Sequence, residues 1–183
     1  SPSLEKKNSA LFWRERILGG TERMRLGKLD NDALERVVLQ KFHKVRPEVL
    51  THPGIGADCA TVDLKGDLAV LSSDPITAAV SRLGLLTVHV NCNDAAAAGA
   101  TPVGLMVTLL APPGATEAEI EAVAEDLASA ALAAGVDVMG GHTEVSDCVT
   151  RMVTCATVLA RVGKAGLVSP AGMSPGDDIV MTK

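Results

Sequence analysis

The stretch Val90–Gly104, VNCNDAAAAGATPVG, sets two amides and an acid (Asn91, Asn93, Asp94) directly against four alanines and a glycine. Asn and Asp are weak helix formers and Ala is the strongest, so the two halves of the segment have opposed local preferences. A helix that tolerates this must use its polar cluster for something other than propensity, while its small residues let a neighbour approach closely. The rest of the chain agrees. Of the 183 residues 47% are hydrophobic, yet only two Phe, one Trp and no Tyr contribute, so Ala, Val, Leu and Gly must build the core. That favours tightly packed helix on sheet, and the length suits one domain or a little more.

The same composition narrows function. Scarce aromatics argue against a base-stacking platform, and a net charge of −5 without a basic block argues against a nucleic-acid partner. With no lysine patch, a phosphate-bearing ligand would be held by metal ions and backbone N–H groups. No apolar run reaches the roughly 18 residues that span a bilayer, and the N-terminus lacks the ordered regions of a signal peptide. A cytoplasmic protein with no membrane partner is expected. Cys59, Cys92, Cys148 and Cys155 stand singly, with no C-x-x-C pair, which favours reduced thiols over a disulfide framework.

Residues 1–23 hold the only Trp and precede Met24, which reads as a natural start. They are a leader foreign to the fold, or else a short docking helix over Ala10–Leu18. Apolar residues at Leu34, Val37, Val38 and Phe42 make a helical stripe, capped by Asn31 or Asp32. After a turn at HPGIGAD come two strands, Cys59–Asp63 and Leu68–Ser73, joined as a hairpin by LKGD. Arg82–Ala98 is a helix and Val103–Leu110 an apolar strand. Thr116 with Glu119 forms a capping box opening a long amphipathic helix. Val136–Met139 is a short strand ended by Gly140–Gly141, Val149–Val162 is one strand or two joined by a bend, and Ile179–Thr182 opens another. This order predicts an α+β fold, a sheet with helices packed on one face. A chain that stops within a strand signal reads as the first part of a longer protein, with residues 24–183 as one domain and a C-terminal domain absent.

Four segments set acidic or amide groups beside glycines: GIGADCA (54–60), SSDP (72–75), NCNDAAAAGA (91–100) and GGHTEVSD (140–147). Asp58, Asp74 and Asp94 are hard oxygen ligands of the kind Mg²⁺ takes one or two of, together with phosphate oxygens and waters. Gly54, Gly56, Gly140 and Gly141 allow backbone N–H groups to face an anion. Asp58, Asp74 and His142 also read as ordinary turn residues. Asp94, inside an alanine helix, has no packing rationale. His142–Glu144 lacks the downstream P-C-x-x-C that a zinc deaminase needs.

Taken together, in this order, the four segments resemble the N-terminal domain of the aminoimidazole ribonucleotide synthetase-like superfamily. Its members include that purine enzyme (PurM), thiamine-monophosphate kinase, selenophosphate synthetase and the hydrogenase maturation protein HypE. GIGADCATVD is similar to the kinase's G-I-G-D-D-A-A-V, with Ala57 replacing the first Asp. VNCNDAAAAGATPVG is similar to V-N-x-S/N-D-x-A-x-x-G-A-x-P, and GGHTEV to G-G-D-T, G-D-T-K-V and G-G-H-S. The resemblance implies ATP and Mg²⁺ as cofactors. It places Asp58, Asp74 and Asp94 at the metal, and Gly54, Gly56, Asn91, Asp94, Gly140, Gly141, His142 and Thr143 at the nucleotide. With His142 where the kinase has an acid, the imidazole is expected to contact phosphate or a neighbouring carboxylate. The resemblance further implies a homodimer formed through the sheet, a partner maturation protein, and phosphoryl transfer from ATP to an oxygen acceptor. A HypE-like or synthetase-related protein fits GGHTEV best. Thiamine-monophosphate kinase is the alternative within the family, and a catalytically silent homodimeric assembly module is the alternative outside enzymes.

Overall fold

The computed structural model describes residues 28–43, 45–51, 53–79, 81–163, 166–169 and 172–181; the leader or docking helix read within 1–23 lies outside them. The chain divides into two compact units, 1–42 and 43–183. In the first, helix α1 (Asn31–Val37) is capped by Asp30, whose Oδ1 accepts from the Ala33 N–H at 2.8 Å. The cap therefore falls one residue before the expected Asn31 or Asp32, and the stripe continues as a 3₁₀ turn over Leu39–Lys41.

The second unit carries β1 (Cys59–Asp63), β2 (Leu68–Ile76), α2 (Leu83–Ala97), β3 (Ala100–Ala111), α3 (Glu117–Ala134), β4 (Asp137–Val145) and β5 (Val153–Val162). The sheet order is β1-β2-β5-β3-β4, antiparallel except for the β3–β4 pair. β1 and β2 form the expected hairpin. Lys65 and Gly66 both take positive φ (65° and 107°), as tight right-twisted hairpins require, and Asp63 Oδ1 accepts from the Gly66 N–H at 2.7 Å.

Along β5 the residues Thr154, Ala156, Val158 and Ala160 are buried beneath the helices, while Cys155 and Arg161 on the opposite face are exposed. The core joins Val70, Leu105, Val107 and Val158 of the sheet to Val88, Ala95, Ala130 and Ala131 of the helices. Small side chains dominate it, as the composition requires, and they bring the layers close. Gly84 of α2 leaves no room for a side chain: a Cβ there would lie 2.7 Å from Leu127 Cα and 2.8 Å from the Asp126 carbonyl carbon of α3. The helices therefore cross backbone to backbone. Asp126 seals the crossing by accepting from the Leu85 N–H at 2.9 Å.

Several expected boundaries are corrected: β2 runs on to Ile76 rather than Ser73, and β3 starts at Ala100 rather than Val103 and ends at Ala111. β4 does not end at Gly140–Gly141 but runs to Val145, because those glycines keep a ladder with β3 interrupted only by a register shift at Leu105/Met106. β5 starts at Val153 rather than Val149, after an irregular segment that follows β4. Ile179–Met181 form no strand, and Thr182 lies outside the described residues.

Candidate functional site

Asp58, Asp74 and Asp94 lie on segments that meet at the start of β1, the end of β2 and the last turns of α2. A turn closed by the Ala57 N–H on the Gly54 carbonyl oxygen (3.1 Å), with Gly56 at φ 75°, delivers exposed Asp58 to the head of β1. Asp74 and Asp94 are half-buried. Ser72, almost wholly buried, places its hydroxyl 2.9 Å from the Asp58 carbonyl oxygen and 3.0 Å from Asp94 Oδ2. Asn91 has no exposed surface; its Oδ1 accepts from the Asp74 N–H at 3.1 Å and its Nδ2 donates to the Thr87 carbonyl at 2.9 Å. The amide in the alanine helix thus fixes the backbone that carries Asp74.

Cys59 reports the field of this cluster. Burial pushes its thiol above the usual range, a hydrogen bond with Ser72 opposes this, and the negative charges of Asp94, Asp58 and Asp74 raise it further. A cavity of ≈ 400 Å³ opens beside Asp58, lined by Pro53, Cys59, Ser72, Ser73 and Thr157 among others; neither Asp74 nor Asp94 is in its wall. Among the described residues, no three His, Cys, Asp or Glu side chains gather closely enough to cage a metal ion unaided. The set suits Mg²⁺ that arrives with phosphate oxygens and waters, since such an ion needs only one or two carboxylates.

Gly140, Gly141, His142 and Thr143 lie elsewhere, on the edge strand β4. Asp74 pairs with Ala156, Ala156 with Val107, and Val107 with Gly141, so Asp74 and Gly141 are the two ends of one row across the sheet. Three inter-strand steps of about 4.8 Å put them roughly 14 Å apart. Gly141 has a packing reason as well, because a Cβ there would collide with the Val107 carbonyl oxygen. His142 Nε2 lies 2.9 Å from Glu144 Oε2.

Residues 56–162 match the family described as AIR synthase related protein, N-terminal domain. The chain belongs to this family. Carbamoyl dehydratase HypE of Cupriavidus necator is 35% identical over 102 residues, which cover 55% of this chain and 29% of that protein. Among solved structures, the HypE–HypF complex superposes with a TM-score of 0.63 at 26% identity, covering 79% of this chain and 47% of that one. HypE in complex with ATP gives 0.55 at 25% identity, covering 82% and 45%. The chain therefore spans less than half the length of each of these relatives. No helix among the described residues is long and apolar enough to cross a membrane.

Sequence reasoning did not single out Ser72, Cys59 and Thr87, which the structure sets around Asp58, Asp94 and Asn91. Ser72 sits inside a quoted motif, but its bridge between Asp58 and Asp94 depends on strand register. The Thr87–Thr154 hydroxyl pair, 2.6 Å apart and fully buried beneath Asn91, carries no local signature at all.

Proposed function

We propose that this domain binds ATP with Mg²⁺ and is the nucleotide-binding half of an ATP-dependent enzyme of the HypE-like or synthetase-related kind. In this reading it works as a homodimer alongside a partner maturation protein and phosphorylates or activates an oxygen acceptor. The observation that carries it is the hydrogen bonding that ties the three acid-bearing segments together, with Ser72 reaching Asp94 Oδ2 and the Asp58 carbonyl oxygen while Asn91 Oδ1 accepts from the Asp74 N–H. A HypE relative solved with ATP and another solved with HypF support it. In this reading Asp74 and Asp94 lead the metal set and Asp58 assists. Gly54 and Gly56 present backbone to the phosphates, while Asn91 holds the Asp74 backbone in place. Gly140, Gly141, His142 and Thr143 meet the far end of the same ligand. Bound Mg²⁺ would neutralise phosphate charge; the chain's own residues position and orient.

Thermal melting tests this. ATP with Mg²⁺ at a hundredfold excess over Kd should stabilise by about 2.7 kcal/mol, roughly 5–11 °C for a domain of this size. Because no cage is preassembled, Mg²⁺ alone should do much less. Asp94→Asn, which can keep the Ser72 hydrogen bond, should retain the fold and lose the metal-dependent part of the shift. Wild-type protein that melts identically with and without Mg²⁺-ATP would favour the silent assembly module instead. An unfolded Asp94→Asn would make Asp94 a structural residue.

A further inference from the structure

A second cavity, ≈ 530 Å³, lies where the N-terminal ends of α2 and α3 meet the segment before β5. Its wall is apolar, from Leu83, Ala122, Val123 and Met152, and it carries two guanidinium groups, Arg82 and Arg151. Its two carboxylates are already committed. Glu119 Oε2 accepts from the Thr116 N–H at 2.8 Å and from the Thr116 hydroxyl at 2.9 Å, and Asp126 Oδ2 accepts from the Leu85 N–H. Neither arginine forms an ion pair among the described residues.

Arg82 breaks two local rules at once. It is a non-glycine residue in the left-handed region (φ 55°), which is uncommon for long side chains. It is also a cation at the N-cap of a helix, the end that favours negative charge, and its side chain makes no cap hydrogen bond. Asp126 already supplies the cap, so the helix end itself is not the anchor. Local rules broken together mark places where something other than the fold is served. An apolar cleft of ligand size with two guanidinium groups in its lining fits an anionic head group on an apolar body.

We propose that this cleft binds a small organic anion, a carboxylate or phosphate on a short apolar body, at a site separate from the Asp58–Asp74–Asp94 group. Arg82 lies twelve residues before Asp94 along α2, about 18 Å at the helical rise. The proposal does not depend on the nucleotide reading.

Amide NMR spectra of the ¹⁵N-labelled chain, titrated with hexyl phosphate, hexanoate, hexanol and inorganic phosphate, test it. Hexyl phosphate or hexanoate should saturably shift the amides of Arg82, Leu83, Val123 and Met152, and the better of the two identifies the head group. Hexanol and inorganic phosphate should bind at least tenfold more weakly. Arg82→Gln with Arg151→Gln should weaken binding at least tenfold, and Ala122→Phe should block it by filling the cleft while melting near the wild-type temperature. Scattered shifts, equal binding of hexanol, or binding undiminished in the double variant would overturn the proposal. Displacement of hexyl phosphate by Mg²⁺-ATP acting on the same amides would overturn the separateness of the site.

Discussion

Asn91 is sealed from solvent with both ends of its amide engaged, one on the Asp74 N–H and one on the Thr87 carbonyl. Replacing it with Leu keeps the volume but strands the Asp74 N–H in a dry environment, which costs about 1–3 kcal/mol. Urea unfolding of Asn91→Leu should show a loss of that size, and a neutral result would mean water replaces the amide. Glu119 offers a test in pH. Its hydrogen bonds to the Thr116 backbone and hydroxyl hold its carboxyl below the ordinary 4.5. A lowered folded value means the stabilisation is present above pH 4.5 and is lost as pH falls through the folded value. Wild type should therefore exceed Glu119→Gln in urea midpoint at pH 7, with the gap closing toward pH 3. A gap that persists in acid would assign the effect to shape rather than charge.

At the scale of elements, α2 and α3 touch through Gly84. A methyl there meets only backbone of α3, so the neighbour cannot rotate out of the way and the crossing must open. Gly84→Ala should cost about 1–3 kcal/mol, and loss of protection at the Leu85 amide in hydrogen exchange should accompany it as the Asp126 cap is displaced. Much of this layer was legible in advance. Strand β1, helix α2 and the Thr116–Glu119 box stand where hairpin residues, alanine content and capping spacing put them. The far half of β4 was not legible, because the apolar run closes at Met139 and the paired Gly140 and Gly141 read locally as a stop. Here the Val107 backbone beside Gly141 makes a glycine necessary within the ladder. Asp94 stands out in the sequence because it contradicts its alanine neighbours. Ser72 does not, since its partners lie 14 and 22 residues away in sequence.

At the scale of the whole molecule, the helices cover one face of the sheet and leave Met106, on the other face of β3, 47% exposed. The edge strand β4 also leaves Val138, Met139 and Val145 more than 40% exposed along the unpaired edge, Val138 and Val145 on the helix side opposite Leu105 and Ala111. Apolar side chains on an uncovered sheet face favour association, and a symmetric pair of chains is the simplest closed arrangement. Sedimentation velocity at micromolar concentration should give a dimer, and Met106→Glu should shift it toward monomer without lowering the monomer's helix content. A wild-type monomer would sink the sheet-mediated dimer.

The row from Asp74 through Ala156 and Val107 to Gly141 is a ruler with fixed graduations. Loops lengthen and shorten with little penalty, but the interval between hydrogen-bonded strands does not stretch. Insertions before Asp58 or after Val145 would not change the distance between the two ends of that row. In the proposed reading, where one ligand meets both ends, its length is set by the number of strands between them, and only gaining or losing a strand would rescale it.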